Sequence, residues 1–322
     1  MYKEFYHFRE RPFQITPDPE YFFFSRGHKL AYDYLRYGLT NQAGITVIIG
    51  KVGTGKTTLI KQLLNEIEKK DHLATISNTG MNSVQFLQAV LQEFGLDYQT
   101  EEKISLYITL KNFLIKAYRQ QEKVILIVDE AQSLSTKMLE EIRMISDLQT
   151  EKEYLIQIVL VGQPQLKEIL NTKEMEQFTQ RITSSCYLKE LNPAEISDYI
   201  KHRLKISGSN STSLFTEKAI QNISQYSKGI PRIINVICDD ALVYGFADEL
   251  PQIDYQIIEE VVKNKKEAGF FLPEYNSLPG GKENQDLKNK LHRVEEDLAR
   301  MKKKLDSLIL IMLKMSVKNR SS

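Results

Sequence analysis

Residues 46–59 read Thr46-Val47-Ile48-Ile49-Gly50-Lys51-Val52-Gly53-Thr54-Gly55-Lys56-Thr57-Thr58-Leu59. Thr46 to Ile49 are all β-branched, which predicts a buried strand. Gly50 to Thr57 then spell G-x-x-x-x-G-K-T. After it, Leu59, Ile60, Leu63, Leu64 and Ile67 share one face of a helix. A strand, then this glycine loop, then a helix is the setting in which the motif cradles phosphate. The predicted class is α/β.

The chemistry accounts for the spacing. Glycines let successive N–H groups turn inward onto phosphate oxygens. The new helix starts at the loop, so its positive end faces the same anion. Lys56 places an ammonium against the β- and γ-phosphates, and the Thr57 hydroxyl is a hard oxygen ligand for Mg²⁺. The expected ATP contacts are Gly50, Gly53, Thr54, Gly55, Lys56, Thr57 and Thr58.

A second anchor stands at Val124–Glu130, VILIVDE. A continuous apolar run ending in two carboxylates reads as a central parallel strand. Ligands sit at the carboxyl ends of such strands. Asp129 is expected to hold Mg²⁺, and Glu130 to polarise the attacking water as general base. Ile156 to Gly162 reads as a further buried strand, and Gln163 after it would orient the water or sense the γ-phosphate. Arg181 precedes a last strand at Ser185–Leu188. It is the candidate arginine finger, a planar cation acting on a neighbour's nucleotide.

Other segments fill in around these. Arg11-Pro12-Phe13 and Thr16-Pro17-Asp18-Pro19 force extended and turn backbone. With the aromatic run Tyr21 to Phe24 they read as an N-terminal wrap. Pro12, Phe13 and the Tyr37-Gly38 region are expected near the adenine ring, since a flat base needs an apolar slot. The helix His28–Gly38 has Leu30, Tyr34, Leu35 and Tyr37 available for burial. Helices are expected at Leu134–Leu148, at Ala194–Ile206, from Thr216, and from Pro231. Arg232 at that last helix start is unfavourable with the dipole, which marks it as facing an anion, as a γ-phosphate sensor.

The chain has 322 residues, 42% apolar, with 43 Lys+Arg against 42 Asp+Glu for a net charge of +1. The length fits two domains and the near-neutral balance gives no global case for nucleic acid. Cys186 and Cys238 read as buried free thiols of a reducing compartment. MYKEFYHFRERPF lacks the apolar core of a signal peptide. No window approaches the roughly 18 apolar residues of a membrane span. The expected location is cytoplasmic. Residues 269–285 hold prolines and glycines and read as a linker. Leu287, Leu291, Val294, Leu298, Met301, Leu305, Leu308, Met312 and Met315 then follow an a/d series over about four heptads. That predicts a coiled coil over 286–318. The apolar run Leu308–Leu313 offers a contact for a partner or, peripherally, for the inner membrane.

Taken together, PF-x-x-TPDPEYFFFS-x-x-H, GKVGTGKTTL, VDEAQSLS with LEEIRMISDLQT, VLVGQPQL, TQRI and KGIPRIIN resemble the AAA+ ATPases of the ExeA type. These belong to secretion pathways and envelope biogenesis. The resemblance covers about residues 6–265. It implies an αβα P-loop core with parallel strand order 5-1-4-3-2, and a small helical lid. It casts Lys56 and Thr57 as Walker A, Asp129 and Glu130 as Walker B, Gln163 as sensor 1, Arg181 as the finger and Arg232 as sensor 2. The expected domains are a wrap at 1–40, the core at 41–191, the lid at 192–268, the linker and the coiled-coil tail. Members of this type often add a transmembrane segment and a periplasmic peptidoglycan-binding region, where this chain reads as linker and coiled coil.

The expected function is a Mg²⁺-dependent ATPase. It would couple ATP binding and hydrolysis to homo-oligomerisation and to assembly or positioning of a secretion or envelope system, with a protein partner reached through the coiled coil. The alternative is a DNA-associated regulator like the target-selecting ATPases of transposons. A third is an ATP-gated scaffold with little turnover.

Overall fold

The computed structural model describes residues 1–40, 44–77, 80–98, 100–209 and 213–269. The linker from 270 and the coiled-coil tail lie outside the described residues. Met1–Lys263 forms one compact unit; a second, Asn264–Ser322, begins in the last turns of the final helix described.

The sheet is parallel, with β1 (Ile45–Gly50), β2 (His72–Ile76), β3 (Val124–Val128), β4 (Gln157–Gly162) and β5 (Ile182–Leu188). Its order is β2-β3-β4-β1-β5, the expected 5-1-4-3-2 read from the other edge. Burial on both faces explains the continuous apolar runs. Ile45, Val47, Ile49, Leu126, Val128, Ile158 and Leu160 point into one core. Ile48, Ile125, Ile127, Val159 and Val161 alternate into the other, as the two-residue period of a strand requires.

The first core is closed by α4 (Ser83–Glu93), α5 (Lys103–Arg119), α6 (Thr136–Ser146), α7 (Pro164–Leu170) and α8 (Glu176–Thr179). The second is closed by α2 (Arg26–Thr40) and α3 (Lys56–Leu64). A short α1 (Tyr2–Phe5) precedes them. The helices α9 (Pro193–Ile206), α10 (Glu217–Ser227), α11 (Pro231–Ala247) and α12 (Tyr255–Glu267) follow β5.

The face of α2 differs from expectation. Ala31, Tyr32, Leu35 and Leu39 are buried, whereas Leu30, Tyr34 and Tyr37 are exposed. The helix lies across β1 and β5, and the stripe that meets them repeats from His28 through Leu35 to Leu39. Cys238 is fully buried in α11, as expected, but Cys186 on edge strand β5 is only partly covered. Burial raises the pKa of both thiols.

Candidate functional site

Register brings the site together. Ile49 of β1 lies beside Gly162 of β4, and Leu160 beside Val128 of β3. The glycine loop, Asp129–Glu130 and Gln163 therefore leave the sheet at the same end. A cleft of about 490 Å³ opens there, within the size range of small-molecule sites. Its lining includes Gly53, Gly55, Lys56, Thr57, Thr58, Glu130 and Arg232.

The loop is built by close packing. Gly53 and Gly55 have φ of +79° and +98°, a region that a Cβ disfavours. A Cβ on Gly53 would stand 2.7 Å from Cβ of Arg232, and one on Gly55 would stand 2.9 Å from Nε2 of His28. Gly50 and Thr54 do not line the cleft. Thr54 is fully buried and its hydroxyl donates to the Lys51 carbonyl at 2.9 Å. A Cβ on Gly50 would meet that hydroxyl at 2.8 Å.

Lys56 opens α3, is 8% exposed, and donates to the carbonyls of Gly50 at 2.7 Å and Lys51 at 2.9 Å. Burial lowers its pKa, opposed by the charges of Glu130 and Asp129. The Thr57 hydroxyl donates to Asp129 Oδ2 at 3.4 Å. Two hard oxygens so placed fit a Mg²⁺ ion.

Glu130 sits in left-handed backbone, φ 54°, which costs a non-glycine residue on the order of 1–3 kcal/mol. Its Oε2 accepts from Gln163 Nε2 at 3.0 Å and from Gln132 Nε2. Gln132 Oε1 in turn accepts from the backbone N–H of Gln163 at 2.9 Å. Gln132 thus ties the acid to the start of α7. Its only sequence signal is its place two residues after Glu130.

Arg232 stands on the first turn of α11, exposed to the cleft, and its N–H donates to the Gly53 carbonyl at 3.2 Å. Arg181 is elsewhere. It precedes β5, whose first residue pairs with Ile45 and whose last pairs with Gly50. Arg181 therefore stands at the opposite end of the sheet, about 20 Å of strand from the loop. There it pairs with Asp147 at 2.9 Å, and Asp147 also meets Arg143 at 2.7 Å.

The expected base slot is corrected. Phe13 is 1% exposed and packs edge-on against Phe215 with centroids 5.9 Å apart. Tyr37 is 65% exposed. Neither they nor Pro12 and Gly38 line the cleft. Gln14 to Asp18 do, with Tyr21, Phe22, Phe23 and Tyr199. Phe13 enters the core and the next five residues line the cleft.

His28 also emerges only in three dimensions. It is 3% exposed. Its Nε2 lies 2.9 Å from the Thr54 carbonyl, which can only accept, so Nε2 carries the proton. Nδ1 then accepts from the Ser25 hydroxyl at 2.7 Å. Burial lowers the His28 pKa from 6.5, so the loop rests on a neutral imidazole.

Residues 39–170 match the family model described as AAA domain. The chain is 36% identical over 248 residues to general secretion pathway protein A of Aeromonas hydrophila. That stretch is 77% of this chain and 45% of the relative, so the chain spans under half of that protein's length. Cdc6p of Pyrobaculum aerophilum shares the fold with a TM-score of 0.58 at 16% identity, over 74% of this chain and 66% of that one. ORC2 of Aeropyrum pernix does so at 0.55 and 18%, with the same coverage. Among the described residues, no helix is long and apolar enough to cross a membrane.

Proposed function

The chain carries an AAA+ core of the ExeA type, and on that premise we propose that it is a Mg²⁺-dependent ATP hydrolase whose turnover is coupled to self-association. One observation carries this reading. The phosphate-binding loop with Lys56 and Thr57, from the end of β1, and Glu130, from the end of β3, line one cleft, with Asp129 held against the Thr57 hydroxyl.

The roles follow from the chemistry. N–H groups of the loop and the α3 N-terminus hold the triphosphate. Lys56 exchanges its carbonyl partners for phosphate oxygens, a stronger charge-assisted contact. Thr57 and Asp129 would hold Mg²⁺, which would supply charge neutralisation to the phosphates. Glu130 takes the proton of the attacking water. Both amides bond its Oε2, which leaves Oε1 for that proton. Gln163 reports on the γ-phosphate through Glu130, and Arg232 does so from α11. The helices α9 to α12 serve as the lid.

Arg181 stands too far along β5 to serve its own nucleotide. We assign it to a neighbour's site, with the pair to Asp147 holding it ready. Output to a secretion or envelope assembly through the tail is the reading that the Aeromonas relative's name supports. The location that goes with it is the cytoplasmic side of the inner membrane.

ATP hydrolysis with Mg²⁺ present and chelated, for wild type and Lys56→Ala, tests the function. Turnover should require the metal, and Lys56→Ala should bind ATP about 10- to 100-fold more weakly. Metal-independent turnover, or undiminished affinity in the variant, would contradict the reading.

A further inference from the structure

The cleft has a wall that its phosphate-binding groups do not supply. Gln14–Asp18, Tyr21–Phe23 and Tyr199 form it, and its aromatic residues suit a flat base. Arg203 of α9 lines the cleft beside this wall, yet is only 6% exposed. A guanidinium so far from water is costly unless its N–H groups are met. Here the acceptors are neutral. Nε donates to the Pro12 carbonyl, Nη2 to the Gln14 carbonyl at 3.1 Å, and Nη1 to the Tyr199 hydroxyl at 3.1 Å. The guanidinium also lies 4.7 Å from the Tyr21 ring centroid and 5.7 Å from that of Tyr199.

A second helix joins the same network. The Tyr199 hydroxyl donates to Asn235 Oδ1 at 2.8 Å, and Asn235 Nδ2 donates to the Gln14 carbonyl at 3.3 Å. The Gln14 carbonyl is therefore held from α9 and from α11 at once. Residues 14–18, which begin the wall, have no regular secondary structure of their own. This anchor holds the start of the segment at Gln14.

We propose that Arg203 is a positioning residue for base recognition. Its planar fork fixes Gln14–Asp18 against α9 and α11, and so sets affinity for the base and ribose while leaving the grip on the phosphates unchanged. This rests on the nucleotide reading of the cleft. A lysine could not replace it, because one ammonium cannot meet three divergent acceptors and stack on tyrosine as well.

Calorimetry with Mg²⁺-ATP and with Mg²⁺-tripolyphosphate separates the two ends of the ligand. Arg203→Lys is expected to weaken ATP about tenfold or more, the loss of one charge-assisted bond, and to leave tripolyphosphate within about twofold. Tyr199→Phe keeps the ring and should shift ATP in the same direction by less. It carries the test if Arg203→Lys does not fold. Tripolyphosphate binding itself reports an intact loop. Equal weakening of both ligands, or unchanged ATP affinity in both variants, would overturn the inference. Wild-type protein that binds tripolyphosphate no more weakly than ATP would also overturn it. Wild-type protein that binds neither would overturn the nucleotide reading itself.

Discussion

Glu130, the proposed general base, carries three structural features in one residue. It follows a buried strand, occupies strained backbone, and has its carboxylate bound by two glutamine amides. Gln132 and Gln163 both hold its Oε2, which fixes the side chain of this strained residue. His28 makes the opposite kind of contribution, a buried base kept neutral beneath the loop. Its folded pKa lies below 6.5, so protonation is disfavoured in the native state. The stability it contributes is fully present above 6.5 and is lost as pH falls through the lowered value. His28→Gln keeps an N–H near Nε2 and cannot titrate. Urea midpoints at about pH 7 and pH 5 should converge for the two proteins as pH falls. A gap that stays constant would show that His28 does not bear the charge penalty. The sequence motifs located Lys56, Thr57, Asp129 and Glu130 because each sits at a fixed offset from a strand end. His28 and Arg203 were not legible in that way. Their partners are 26 and 191 residues away, and no local spacing encodes such a contact.

At the scale of elements, the buried strands were readable from the apolar runs and the motifs they end in, whereas their order came from the family resemblance. The exposed and buried sides of α2 were not readable. Leu30, Tyr34 and Tyr37 form as good a stripe as the one that is buried, and only the docking against β1 and β5 decides between them. The turn from α10 to α11 is fixed by backbone contact. Gly229 has φ +78°, and a Cβ there would stand 2.1 Å from the Leu191 carbonyl oxygen. Its own carbonyl accepts from Leu191 N–H at 2.9 Å. Gly229→Ala is expected to cost about 2–4 kcal/mol, from left-handed strain and a backbone clash together. It should also weaken ATP, because Arg232 begins three residues later. Denaturant melts and calorimetry check the two halves. A loss under about 0.5 kcal/mol, the scale of an ordinary surface change, would mean the turn relaxes freely. Capping is a smaller effect. Asn192 accepts from Glu195 N–H at 3.0 Å, and Glu195 reaches back to Asn192 N–H and across to Arg26 N–H. Asn192→Ala should cost about 1 kcal/mol, read from the same melts.

For the whole molecule, the proposed mechanism gives the two ends of the sheet different tasks. One end carries the loop, the acids and Arg232. The other carries Arg181, held by Asp147 beside Arg143. That separation is what a subunit-bridging site requires, because an arginine about 20 Å along the strands cannot reach its own cleft. ATPase rate per subunit should therefore climb with protein concentration. Arg181→Ala should lower the plateau on the order of 10³-fold without changing ATP affinity. A rate flat in concentration and unaffected by Arg181 would mean each subunit acts alone. The most direct measurement is phosphate release from ATP with Mg²⁺ for wild type beside Glu130→Gln, with ATP affinity determined for both. Wild type should turn over, and Glu130→Gln should bind ATP as tightly while hydrolysing it about 10²- to 10⁴-fold more slowly. Hydrolysis near the wild-type rate in Glu130→Gln, or no hydrolysis by wild type at any concentration, would contradict an ATPase built on this cleft.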